Sequence, residues 1–123
     1  MAVKVIDASA LAAIVFDEPD AERVIEAIDD SPLVVPHLLE FELANVCAKK
    51  IRAHPAQRDG LLQALGLVEH LDMTRAEVVM GEVVELAIGT RLTTYDASYL
   101  WLARMLRCEL VTLDQRLSNA SRR

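Results

Sequence analysis

With 123 residues, 53% of them apolar, the chain can bury one hydrophobic core but hardly two, so a single domain over residues 1–123 is expected. A formal net charge of −6 excludes a broad cationic surface of the kind that holds nucleic acid by counterion release, and any nucleic-acid role must be local. Cys47 and Cys108 lie far apart in no metal-ligand spacing, no targeting segment is visible, and uncharged stretches such as 8–16 are roughly half a membrane span; a soluble, cytoplasmic protein with reduced thiols and no membrane contact is expected.

In chain order, the β-branched run 3–7 predicts a first strand, followed without a glycine loop by an alanine- and leucine-rich helix over 9–16. Pro19 opens a second helix reaching Ile28, with acids in its first turn as the helix dipole prefers. Residues 33–35 read as a short buried strand ended by Pro36. A long helix over 37–53 follows, with the apolar stripe Leu39, Leu43, Val46 and Cys47. A further helix over 57–69 contains Gly60 and Gly66, and residues 71–73 fit a brief strand. Thr74 with Glu77 reads as a capping box opening a helix to Ala87, with Gly89 at its end. Thr94 stands as a cap before a strongly apolar helix over 97–106. The last strand is expected at 109–113, then a short helix or turn over 115–120 and a frayed end. Alternating strands and helices imply an α/β fold, a central parallel sheet of four to five short strands with helices on both faces. No G-x-G-x-x-G or G-x-x-x-x-G-K pattern supports a dinucleotide or P-loop site.

Four acids, Asp7, Glu42, Asp96 and Asp114, each stand where an apolar run ends or a helix begins. Asp7 and Asp114 close strands, and in an open α/β sheet the strand C-termini face the ligand crevice. Glu42 falls beside the apolar stripe of its helix, where a carboxylate is costly unless paired or bound to a cation, whereas Glu40 turns to solvent. Singly, Asp7 or Ser9 reads as a helix cap, Glu42 as a boundary residue, and Asp114 as an N-cap. Together they suggest one metal-binding carboxylate cluster. Two carboxylates ~4 Å apart repel by roughly 4 kcal/mol at an effective dielectric of 20, which invites raised pKa values or a cation. Oxygen-only ligands favour Mg²⁺ or Mn²⁺ over zinc, and hydrolysis of a phosphodiester is the natural chemistry of such ions. His37, His54 and His70 show no ligand spacing and read as surface or boundary residues. Lys49, Lys50 and Arg52 suit a helix C-terminus without any ligand.

The run Val5-Ile6-Asp7-Ala8-Ser9-Ala10-Leu11, with Asp17-Glu18-Pro19 after it, resembles the opening of PIN-domain proteins, and more specifically of VapC-type toxin ribonucleases. The resemblance continues through residues 35–46, 94–100 and 110–117 in the family's order, and so covers essentially the whole chain. It implies a PIN-like three-layer fold and metal-dependent endonucleolytic cleavage of RNA. Asp7, Glu42, Asp96 and Asp114 would be the ligands, with Ser9 and Thr112 as hydroxyl support and Asn45 orienting Glu42. It also implies a homodimer and a cognate VapB-type antitoxin wrapping the toxin. Some PIN nucleases place another acid two residues after the fourth aspartate; here that residue is Arg116, which leaves one- and two-metal mechanisms open. Two other readings stand beside this one: a PIN-like binding module with inert acids, and a phosphoacceptor or phosphatase α/β domain. The latter would want an Asp-x-Asp or a paired acid at the first strand, where Asp7-Ala8-Ser9 stands.

Overall fold

The structure is a computed structural model and describes residues 2–123. Four short strands, β1 (Lys4–Ile6), β2 (Leu33–Pro36), β3 (Met73–Ala76) and β4 (Glu109–Val111), form one parallel sheet in the order β3-β2-β1-β4. Val5 lies between Val34 and Leu110 in the ladder. Between and after the strands come α1 (Ala8–Val15), α2 (Ala21–Ile28), α3 (Leu39–Ala53), α4 (Arg58–Gly66), α5 (Met80–Thr90), α6 (Thr94–Leu106) and α7 (Gln115–Ser121). The fold is α/β, the sheet forming the middle layer with helices on both faces.

Parallel strands covered on both faces must be apolar on both, and Val5, Ile6 and Val35 are fully buried. Helix α1 buries Ala8, Ala10, Leu11, Ala12 and Ala13; its small side chains let it lie close to the layers around it. Helix α6 buries Ala97 through Leu100, together with Leu102 and Ala103, and touches β1, β2 and β4. Its nearly all-round apolar sequence follows from this central place. The stripe of α3 faces inward through Leu39, Leu43 and Cys47.

Several expectations need correction. Thr74 caps no helix: it lies in β3 opposite Val34, and α5 begins only at Met80, without a side-chain cap. Ladder hydrogen bonds with β2 outweigh a local capping box, and the next side chain, Arg75, reaches Glu40 on α3. The strand expected at 71–73 is correspondingly displaced to 73–76. Gly89 lies within α5, and the chain turns instead at Arg91, in the left-handed region at φ 59°. The helix expected over 57–69 is α4 flanked by two 3₁₀ turns, Pro55–Gln57 and Leu67–His70. The cap of α6 is Thr93 rather than Thr94: its hydroxyl accepts the Asp96 N–H at 3.1 Å.

Candidate active site

The sheet order turns back between β1 and β4, and the chain leaves both strands at the same end of the sheet. A crevice beyond adjacent strand C-termini at such a reversal is where open α/β sheets place ligands. Asp7 directly follows β1, and Asp114 follows β4 after Thr112 and Leu113. Asp7 caps α1 and Asp114 caps α7, accepting from Ala10 N at 3.0 Å and Leu117 N at 2.9 Å. Glu42 and Asp96 stand in the first turns of α3 and α6. All four therefore stand at the N-terminal turns of helices, where the helix dipole accommodates negative charge.

Asp7 is 4% exposed and the best held. Its Oδ1 accepts from Ser9 Oγ at 2.7 Å as well as from Ala10 N, and its Oδ2 accepts from Thr112 Oγ1 at 2.5 Å. Ser9 Oγ in turn accepts the Leu113 N–H at 3.0 Å, and Thr112 Oγ1 accepts the Asp114 N–H at 3.0 Å. The two hydroxyls thus lace the β1 turn to the β4 turn and fix Asp7 against Asp114. Desolvation nevertheless raises the Asp7 carboxyl above the usual aspartate value, against the lowering pull of Thr112, Ala10 and Ser9; the Asp114 charge adds to the rise.

Glu42 and Asp96 are raised as well, each first by desolvation. The charges of Asp96 and Asp7 push Glu42 up, and those of Asp114 and Asp7 push Asp96 up. The structure therefore gathers residues from both ends and the middle of the chain into one negative locus. Arg116 opposes the trend: its charge lowers Asp96.

Tyr99 was not anticipated from the sequence. Its hydroxyl donates to Glu42 Oε1 at 2.6 Å, and the side chain is 1% exposed. This bond favours ionised Glu42, while burial and the acidic neighbours push the Tyr99 phenol far above its usual value. The available signal was its position three residues after Asp96 on one helical face, and the need of a buried tyrosine hydroxyl for a partner. Asn45, expected to orient Glu42, is exposed one turn along α3, and Tyr99 makes the contact instead. His37, His54 and His70 are all exposed.

Among the described residues, no three His, Cys, Asp or Glu side chains lie close enough together to grip a metal ion directly. The donor set is nonetheless oxygen only, and lone pairs remain: Tyr99 engages only Oε1 of Glu42, and Leu117 N only Oδ1 of Asp114. Such a set fits a hard cation that retains part of its water shell, as Mg²⁺ does, and not zinc.

The PIN domain family model matches residues 4–123. The chain belongs to the PIN domain family. It is 38% identical over 120 residues to ribonuclease VapC9 of Mycobacterium tuberculosis, spanning 94% of this chain and 88% of that one. To ribonuclease VapC3 of Pyrobaculum aerophilum it is 30% identical over 119 residues, 93% and 91% of the two chains. The crystal structure of PAE2754 from Pyrobaculum aerophilum superposes with a TM-score of 0.79 at 27% identity, covering 98% of this chain and 85% of that one. No helix among the described residues is long and apolar enough to cross a membrane.

Proposed function

We propose that this chain is the ribonuclease toxin of a VapBC-type toxin–antitoxin pair, hydrolysing RNA phosphodiester bonds with Mg²⁺, or Mn²⁺ in its place, at Asp7, Glu42, Asp96 and Asp114. The observation that carries this reading is Asp7, buried and laced to the Asp114 turn through Ser9 and Thr112, whose charge raises both Glu42 and Asp96. Structure without function would not keep acids under such repulsion when uncharged caps would serve.

The four acids would hold the cation, with Ser9 and Thr112 fixing Asp7 and Tyr99 fixing Glu42. When bound, such a cation supplies Lewis acidity toward a phosphoryl oxygen and eases deprotonation of the attacking water. The chain itself contributes orientation. Asp7 has three of its four lone-pair sites filled by Ser9, Ala10 and Thr112, which leaves one on Oδ2 pointing a defined way. In the hydrolysis, water oxygen bonds to phosphorus as the bond to one ribose oxygen breaks. Neutralising the carboxylates also allows a phosphate to approach a cluster that would otherwise repel it.

A cognate VapB-type antitoxin is the partner this assignment calls for, and a homodimer is the assembly. Supporting the dimer, α5 exposes Met80, Val84 and Ile88 at 69%, 44% and 71%, one stripe at i, i+4, i+8 beside the buried Val83 and Ala87.

A non-catalytic binding module is the second reading, favoured by the absence of a ready-made three-ligand metal group among the described residues. Cleavage of end-labelled tRNA and ribosomal RNA by the purified chain separates the two. Discrete products with Mg²⁺ or Mn²⁺ that vanish with EDTA and in Asp7→Asn establish the nuclease. A folded, antitoxin-free chain that neither cleaves nor binds Mn²⁺ establishes the module.

A further inference from the structure

One cavity, of about 510 Å³, lies away from most of the acids and opens along β4, between the C-terminal end of α6, α7 and the α2 residue Ala27. A second cavity of about 230 Å³ shares Ala27, Val111, Thr112, Ser118 and Arg122 with it and extends to Leu113, Asp114 and Gln115. The two form one groove along the edge strand β4, running from Cys108 at one end to a carboxylate of the acidic cluster at the other.

The charge of this groove is opposite to that of the chain. Arg104, Arg107 and Arg122 line it, and Arg23 joins them on the α2 side: four of the 13 Lys and Arg residues in a protein of net charge −6. Arg104, Arg107 and Arg122 are exposed and enter no ion pair among the described residues, whereas Arg23 pairs with Asp20 at 3.3 Å. The acids lining the groove are Glu109, which Lys4 engages at 3.5 Å, and Asp114 of the cluster. Ser118 and Ser121 line the groove with the arginines. Unpaired guanidinium groups beside hydroxyls in a channel match a phosphate backbone, to which guanidinium binds in a fork.

We propose that this groove is the track by which single-stranded RNA reaches the acidic cluster, with Arg104, Arg107 and Arg122 holding successive phosphates on one side of the scissile bond. This rests on the ribonuclease reading above. It resolves a difficulty in that reading: an acidic protein must bind a polyanion, and the groove supplies the local positive field that the overall charge denies. An open edge strand would also suit an extended peptide, but backbone pairing to a peptide gives no use for three unpaired arginines.

The test is binding of a fluorescein-labelled, mixed-sequence single-stranded RNA to the full-length Asp7→Asn chain, by anisotropy, between ~50 and ~200 mM salt. In that background, the groove variant Arg104→Ala/Arg107→Ala/Arg122→Ala is compared with a control of equal charge loss, Lys49→Ala/Arg52→Ala/Arg58→Ala. The groove variant is expected to bind about tenfold or more weakly, with the slope of log affinity against log salt lowered by about two, while the control stays within about twofold. Arg104→Lys/Arg107→Lys/Arg122→Lys should recover most of the salt slope, and it serves as the folded reference should the alanine variant fail to fold. Equal losses in both triples, or none in the groove variant, overturn the proposal. So does an acidic peptide whose binding requires the three arginines while RNA affinity does not. Cleavage with the native Asp7 distinguishes the two levels. If the native chain cuts RNA and the groove variant cuts it equally well, the track alone falls. If the native chain neither binds nor cuts RNA, the ribonuclease reading falls with it.

Discussion

Asp7 caps α1 with the same carboxylate to which the proposed chemistry is assigned. Asparagine keeps an oxygen for Ala10 N and Ser9 Oγ but loses the charge. Asp7→Asn is therefore expected to lower cleavage by about 100-fold or more while circular dichroism and thermal midpoint stay near those of the native chain. A variant that unfolds, or one that still cleaves, contradicts the role assigned here. Tyr99→Phe tests the neighbouring contact by removing one hydroxyl from a buried ring. If Glu42 binds the proposed cation, loss of the hydroxyl that orients it is expected to reduce activity or Mn²⁺ affinity by about 10- to 100-fold. Because the lost bond favoured ionised Glu42, the acid limb of the pH–rate profile should also move to higher pH; an unchanged limb would show that Glu42 is not the group titrating. The places of Asp7, Glu42, Asp96 and Asp114 at strand ends and helix starts were legible in the sequence because that is a local pattern; their joint role is the proposal made above. The Tyr99–Glu42 bond was not, since it joins residues 57 apart and depends on how α6 lies against α3.

Helix α6 shows what a local pattern can and cannot specify. Its apolar character predicts a helix, and Thr94 reads as its cap, but Thr93 stands beside it. Thr93, in extended conformation, wins. Thr93→Ala is expected to destabilise the protein by about 1 kcal/mol, whereas Thr94→Ala should stay within ~0.5 kcal/mol, as measured by urea titration. A reversed order would restore Thr94 as the cap. Because the Thr93 hydroxyl holds the Asp96 backbone, only the first variant should also reduce cleavage. The β3 region misled for a related reason. Thr74-x-x-Glu77 satisfies a capping rule, but the open edge of β2 offers residues 73–76 a full parallel ladder, and long-range pairing is not written in a four-residue motif.

Over the whole molecule the raised carboxyls tie stability to pH, and the proposed cation would tie it to metal as well. Asp7, Glu42 and Asp96 all have raised carboxyls, so they bind protons more strongly in the folded than in the unfolded chain. Their favourable contribution is complete below the unfolded carboxylate values, around pH 4, and is lost as pH rises through the higher folded values. A divalent ion that binds the ionised folded cluster restores stability by mass action. Mn²⁺ is thus expected to raise the thermal midpoint by several degrees at about pH 7.5 and hardly at all near pH 4.5, in differential scanning fluorimetry. Equal shifts at both values would place the ion elsewhere. The outward apolar face of α5 bears on assembly. Ile88→Glu should convert a dimer to a monomer in sedimentation equilibrium, since a charge would be buried against its symmetry mate; a native chain that sediments as a monomer would remove that assignment.

The double duty of Asp7 also bears on genetics. If bacteria are selected for escape from growth arrest by this protein, substitutions at residue 7 should fall into two kinds. Asparagine leaves a soluble chain that still titrates its antitoxin. Alanine or valine, which cannot accept the Ala10 and Thr112 hydrogen bonds, leaves chains cleared by proteolysis. Abundance in the escapees, rather than the site of the mutation, would then tell whether catalysis or folding was lost.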